Sequence, residues 1–158
     1  NSAAQRSVGI GRQVTIQSNN CIAIGNYARV LTSASNSMNF ATSGVGIGAI
    51  SGLSSINLAS GLFNTNITAT AVRAIGLGSS SVALDKVTAA DGIAIGTEST
   101  ATAAGAVSLG REIVANMVDT VSVREVEVQT VGGGITMYSP DGTAYKLTVA
   151  NGGTLVIT

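Results

Sequence analysis

The sequence predicts an all-β protein of short stacked coils, a parallel β-solenoid or β-roll, followed by a small antiparallel meander. Three observations predict it. The first is a phrase written six times, as "SVGIG", "CIAIG", "GVGIG", "AIGLG", "GIAIG" and "AVSLG". Each copy sets a branched residue, a tiny residue, Ile or Leu, and then glycine. The second is composition: 45% of the 158 residues are hydrophobic, yet only 3% are aromatic and 10% charged. Apolar content carried by Ala, Val, Ile and Leu suits thin repetitive β packing, and the charge is far below the roughly 25% of ordinary globular domains. The third is a C-terminal run of β-prone segments split by "SPDG" and "NGG".

The repeat glycines are Gly11, Gly25, Gly48, Gly78, Gly96 and Gly110, with gaps of 14, 23, 30, 18 and 14 residues. Internal periodicity of this kind marks a repeat architecture. "SMNFA", "SINLA" and "SVALD", ending at Ala41, Ala59 and Asp85, read as degenerate copies inside the longer gaps. Within a strand, alternate residues face opposite sides, so Val8 and Ile10 share one face and Gly9 takes the other. Ile22 and Ile24 flank Ala23 in the same way, and Ile93 and Ile95 flank Ala94. The branched residues are expected to fill the coil, and the flat small-residue face to meet another chain. Glycine then supplies the positive φ of the turn. Coils stacked in this manner contact mainly their neighbours, and a core so thin is expected to need partner chains.

From this pattern residues 1–110 are expected to form the roll, 111–131 a neck and 132–158 the meander. In the last segment Pro140, Asp141 and Gly142 signal a reverse turn, and "NGG" signals a hairpin. Tyr138 and Tyr145 are expected to face each other across the first turn. Glu125 and Glu127 alternate with Val126 and Val128, which reads as a strand with charges out and valines in. Arg111 and Arg124 are the basic residues available to pair with those acids across chains.

Charge is balanced overall but not locally. Through Leu84 there are four arginines (Arg6, Arg12, Arg29, Arg73) and no acid, and from Asp85 onward eight acids face Lys86, Arg111, Arg124 and Lys146. The first part is thus +4 and the second −4. Cys21 stands alone within a repeat phrase and is expected to be a small buried apolar residue. No run of 18 apolar residues encodes a membrane-spanning helix, and no membrane insertion is expected. With neither a leader-like segment nor an initiating Met, the chain is expected to be the C-terminal part of something longer.

The motif [VI]-[GAS]-[IL]-G, at about fourteen-residue spacing with connectors such as "TESTATAAGAVSLG", resembles the head of YadA-like trimeric adhesins. The similarity covers about residues 7 to 110 and extends through "REIVANMVDTVSV", which is similar to the neck of such heads, to about residue 123. Arg124 stands where the family places glycine. The resemblance implies a left-handed parallel β-roll in an intertwined homotrimer. The tail "SPDGTAYKLTV…GTLVIT" resembles a short terminal segment of many bacteriophage tail fibres. Together these imply a non-enzymatic virion attachment protein, the distal part of a trimeric tail fibre or spike. Its partners would be the remainder of that fibre and a bacterial surface glycan or outer-membrane receptor. The alternative they imply is the passenger head of a bacterial trimeric autotransporter adhesin, on the bacterial surface.

The residue types argue against several chemistries. There is no His, hence no histidine base or histidine metal ligand, and hexapeptide-repeat acyltransferases need a catalytic His. Glycan-cleaving solenoids use paired carboxylates, whereas Asp85, Asp91 and Glu98 read as solvated turn acids. "GVGIGAISG" lacks the βαβ context of a nucleotide loop, and calcium-repeat aspartates are missing. Nucleic-acid binding would need a basic stripe with stacking aromatics. Neither catalytic residues nor cofactors nor metals are expected. An antifreeze surface would need a regular Thr ladder, and Thr68, Thr70, Thr100 and Thr102 are irregular.

Receptor contacts are therefore sought among the scarce aromatics. Tyr27 follows the Gly25 turn beside Arg29, and Phe63 lies in a loop-like stretch. Tyr138 and Tyr145 belong to the meander. Phe40 occupies an Ile-like slot and reads as packing.

Overall fold

A computed structural model of the chain describes residues 6–43, 49–50, 52–61, 65–67, 70–80, 84–128, 133–150 and 153–158. All its regular elements are strands. In chain order the first fifteen are β1 (Val8–Ile10), β2 (Thr15–Ile16), β3 (Ile22–Asn26), β4 (Arg29–Val30), β5 (Met38–Ser43), β6 (Ala49–Ile50), β7 (Ile56–Gly61) and β8 (Thr65–Ile67), then β9 (Ile75–Ser80), β10 (Leu84–Val87), β11 (Ile93–Ile95), β12 (Thr100–Ala101), β13 (Val107–Leu109), β14 (Val114–Ala115) and β15 (Val121–Val123). The odd-numbered strands form one eight-stranded sheet and the even-numbered strands a seven-stranded sheet, each in chain order. All the described pairings within them are parallel. The chain therefore alternates between two walls, adding one strand to each per coil. This is the β-solenoid the repeat predicts.

Register lines the phrases up. Val8, Ile22, Met38, Ile56, Ile75, Ile93, Val107 and Val121 form one column, and Ile10, Ile24, Phe40, Leu58, Leu77, Ile95, Leu109 and Val123 another. Successive rungs lie 14, 16, 18, 19, 18, 14 and 14 residues apart. The coils thus continue through the stretch read as a neck: β14 and β15 are further rungs, and the compact unit they belong to extends to Arg124. "SVALD" is corrected. Leu84–Val87 is β10 of the other sheet, paired with β8 and β12, and not a further copy of the phrase. Gly48 lies outside the described residues, and between Gly25 and Gly78 the equivalent positions are Ala41 and Ala59.

The inside and the outside of the coil are the reverse of the sequence expectation. Ala23, Asn39, Asn57, Ala94 and Ser108, all at the small position, are 0% exposed, while their branched neighbours Ile10, Leu58, Ile95 and Leu109 stand at 38–56%. The second sheet supplies the bulk: Val30, Ile50, Ile67 and Val87 are buried at 0–1% and aligned across β4, β6, β8 and β10. A Cβ added at Gly9 would come within 3.2 Å of Val14 Cγ1, and one at Gly76 within 3.5 Å of Ile67 Cδ1. Two walls this close have room for one large layer only. The other wall presents Gly, Ala or Ser inward, or Asn in the longer middle coils, and its branched residues are left outside.

The turns stack as regularly as the strands. Gly11, Gly25, Gly78, Gly96 and Gly110 adopt φ between 122° and 129°, a conformation open essentially to glycine alone. A Cβ at Gly96 would lie 2.0 Å from the Gly110 carbonyl oxygen, so stacking itself also demands glycine there. At the opposite corner, Arg6, Asn20, Asn36, Ser54, Arg73, Asp91 and Asp119 are left-handed at φ 54° to 60°, with Gly105 in the same series. Backbone bonds link successive members, as from Asp91 N to Val72 O (2.9 Å) and from Asp119 N to Ala104 O (3.0 Å).

A buried hydroxyl ladder joins neighbouring coils. Ser7, Ser37 and Ser55 Oγ accept from the amides of Cys21, Ser55 and Ala74, at 3.1, 3.0 and 3.1 Å. They donate to the carbonyls of Ser18, Gly52 and Ala71, at 3.1, 3.0 and 2.9 Å. Cys21 occupies this column, 1% exposed, as the small buried residue expected.

Glu125–Thr158 forms a second compact unit. Its strands β16 (Gly134–Tyr138), β17 (Ala144–Val149) and β18 (Leu155–Ile157) make an antiparallel meander in that order. Glu125 to Val128 is not a strand, and Val126 and Val128 are exposed and not turned inward.

Candidate functional site

The roll presents its most distinctive chemistry on the outer face of the odd-strand sheet. Two columns of apolar side chains, aliphatic except for Met38 and Phe40, run the length of that wall, eight rungs each, with no charged residue in either. Val8, Ile10, Leu58, Ile95, Leu109, Val121 and Val123 are 38–63% exposed, and the remaining members are half-buried. A continuous apolar stripe of this length exceeds what a monomeric soluble surface ordinarily carries.

Charge lies at the corners. Arg73 and Asp91 occupy successive rungs of the left-handed corner and form a two-pronged pair, Nε to Oδ1 at 2.7 Å and Nη2 to Oδ2 at 2.8 Å. The hydrogen bond from Arg73 holds the Asp91 carboxyl below its ordinary range, and Asp91 raises the guanidinium in turn. At the other corner Glu112 takes both arginines flanking the expected neck: Arg111 Nη2 at 2.7 Å and Arg124 Nη2 at 3.2 Å. Within the chain both arginines are thus engaged by Glu112 and not by Glu125 or Glu127. Left-handed turns at Glu112 and, fourteen residues earlier, at Glu98 stack on one another through the Glu112 N to Thr97 O bond (2.9 Å).

One titratable group is inside. Lys86 sits at the irregularity between Asp85 and Val87 in β10, is 0% exposed, and runs beneath Gly76, whose missing side chain leaves it room. Its Nζ donates to the Gly96 carbonyl oxygen at 2.6 Å and to Ser99 Oγ at 3.4 Å. Among the described residues no carboxylate pairs with it. Desolvation lowers its pKa to about 8. Together with Asn39 and Asn57, whose side chains bond each other at 3.1 Å, it fills the interior of the longer middle coils with polar matter. Sequence reading treated Lys86 only as a charge. The signal available was a lysine following "SVALD" in a chain with few charges, ten residues after Gly76 in the preceding phrase.

The residues expected to contact a receptor are divided between the two compact units. Tyr27 is a left-handed turn residue (φ 61°), half-buried, two residues from Arg29, which begins β4 and is also half-buried. Phe63 lies outside the described residues. In the meander, Tyr138 pairs with Ala144 and Tyr145 with Met137, so the two tyrosines stand on opposite faces. Their expected mutual packing is corrected. The cause is loop length: the connection is Ser139–Thr143, five residues, with Ser139 N to Thr143 O at 3.0 Å and Gly142 N to Ser139 O at 2.9 Å. Asp141 caps it, accepting from Ser139 Oγ and from Thr143 N (2.9 Å), and these bonds pull its carboxyl down to about 2.

The meander faces differ sharply. Ile135, Met137, Tyr145, Leu147, Val149, Leu155 and Ile157 share one face, and Gly134, Thr136, Tyr138, Ala144, Lys146, Thr148 and Val156 share the other. Tyr138, 73% exposed, is the most exposed aromatic described.

Among the described residues, no group of three or more Cys, Asp or Glu side chains could hold a metal ion, and no helix is long and apolar enough to cross a membrane. No protein-family model, no curated protein and no solved structure matches the chain.

Proposed function

We propose that this chain is a non-enzymatic attachment module that works as a homotrimer, the distal part of a phage tail fibre or spike directed at a bacterial surface. The observation that carries the assembly is the pair of apolar columns outside the roll, which another copy of the same wall would seal. Identical chains offer identical stripes, and closed symmetry lets every copy be covered. The number three and the biological setting rest on the resemblance of the repeat phrase and of the terminal segment. A stiff bundle presenting several copies of a weak site gains avidity without new contacts. The turn residue Tyr27, Arg29 at the start of β4 and the outward Tyr138 of the meander are the surface chemistry assigned to recognition. A passenger head of a bacterial trimeric adhesin would share the roll, and the meander favours the fibre.

Sedimentation of the purified chain across a dilution series, followed by its retention on an array of bacterial surface glycans, tests this reading. A three-chain particle that retains a defined glycan class, with the glycan recovered at full length, supports it. A monomer at micromolar concentration overturns the assembly, and shortened glycan chains overturn the non-enzymatic assignment.

A further inference from the structure

We propose that the C-terminal meander is a second self-association unit, whose apolar face is covered by the same face of further copies of this chain. The inference deepens the trimer reading for the number of copies but rests on a separate observation. None of the described residues of this unit is buried, so it has no interior of its own. An isolated small antiparallel sheet in water is at best marginal until its apolar face packs against something.

The chemistry of the face selects the occupant. Ile135, Met137, Tyr145, Val149, Leu155 and Ile157 are 43–66% exposed on it, and the Tyr145 hydroxyl is its one polar side-chain group. A site for a glycan or a polar receptor peptide needs several placed polar groups to fix orientation, and this face does not supply them. Lys146, Thr136 and Thr148 all fall on the opposite side. The six residues expose roughly 600 Å² per copy, so two facing copies would remove about 1,200 Å², the lower bound of specific interfaces. The face carries no charge to repel its own image. Assembly through it turns Tyr138, Thr136 and Lys146 outward, which places the recognition chemistry of the tip on the polar face and assigns Tyr145 to packing.

The chain has no Trp and one Cys, so reporters can be placed singly. Cys21→Ala supplies the background, since Ala74 and Ala106 occupy the position before the strand in other coils. In the full-length chain Tyr145→Trp is expected to emit blue-shifted and to resist iodide quenching, whereas Tyr138→Trp emits and quenches as in water. Met137→Cys with a short bismaleimide is expected to give covalent dimer as the main product, and Thr136→Cys single chains. Water-like emission from Tyr145→Trp overturns the proposal. A blue shift without inter-chain product from Met137→Cys also overturns it, the occupant then being the same chain. If either happens while the chain sediments as a trimer and Ile95→Cys cross-links, the meander proposal alone falls. If Ile95→Cys also fails and the chain is monomeric, the trimer reading falls with it.

Discussion

The roll and the meander solve the same problem with unequal means. Both are short strands of β-branched and aliphatic residues, and both leave many of those side chains in solvent. The roll nevertheless closes a core within one chain, because a second sheet lies opposite and fills the space between with Val30, Ile50, Ile67 and Val87. The meander has one sheet, no second sheet of its own among the described residues, and no buried residue among them. In this protein an interior depends on a second wall more than on apolar content. The roll's apolar stripe is surplus to its own folding, while the meander's apolar face is the only means it has to bury anything.

The sharpest way to break the comparison is at two glycines. Gly96→Ala sets a Cβ 2.0 Å from the Gly110 oxygen at φ 122°, and is expected to cost about 3 kcal/mol or more because strain and backbone clash combine. Gly142→Ala, at φ 85° with open space around it, should cost no more than about 1 kcal/mol. Chemical denaturation of both variants checks the contrast, and equal losses would show that coil stacking is not the constraint.

Neighbouring residues of one strand separate folding from assembly. Ala94→Leu forces a large side chain into a filled interior and should destabilise the coil by about 2–3 kcal/mol, seen as lost β signal in circular dichroism. Ile95→Asp should leave that signal in place and reduce the sedimenting particle to single chains. If Ala94→Leu assembles normally, the small residues are not inside.

Lys86 gives the roll an alkaline pH dependence, whereas the shifted group of the meander, Asp141, acts only in acid. Its folded pKa, about 8, lies below the ordinary lysine value of 10.5. The folded state therefore releases a proton that the unfolded chain keeps between those values, and stability rises with pH through that window. The penalty is fully present below pH 8. Lys86→Met removes it and should stabilise the roll at pH 7 by about 2 kcal/mol, with a flat profile from pH 8 to 10.5. A variant that loses stability at pH 7 would show that the bonds to Gly96 and Ser99 outweigh the burial.

The smallest effect is expected at the corner. Arg73→Ala breaks an exposed ion pair, and thermal melts should move little and lose even that difference at high salt.

Much of the fold could be read from local pattern. The repeat glycines mark turns because only glycine sits at φ near 125°, a property of the residue and independent of its surroundings. The phrase marks strands because alternation is built into an extended backbone. Which face of the strand points inward was not available locally. It depends on what the opposing sheet contributes, and β2, β4 and β6 are two residues long, too short to advertise themselves. The same holds for "SVALD", whose Leu84–Val87 joins the other wall, and for the hydroxyl ladder, where Ser7, Ser37 and Ser55 look like ordinary polar residues before each phrase. The tyrosine pair failed on a single count, since the five-residue loop sets Tyr138 opposite Ala144, one residue short of Tyr145.

What the sequence determined by itself is the repeat: strand, turn and coil length follow from residue types whose backbone preferences act over two or three bonds. What only the tertiary structure decided is the sidedness. It placed Ala94 inside and Ile95 outside, sank Lys86 beneath Gly76 and divided the meander into an apolar and a polar face. The physical reason is that burial is a property of the space between two walls, and that space is defined by residues far apart along the chain.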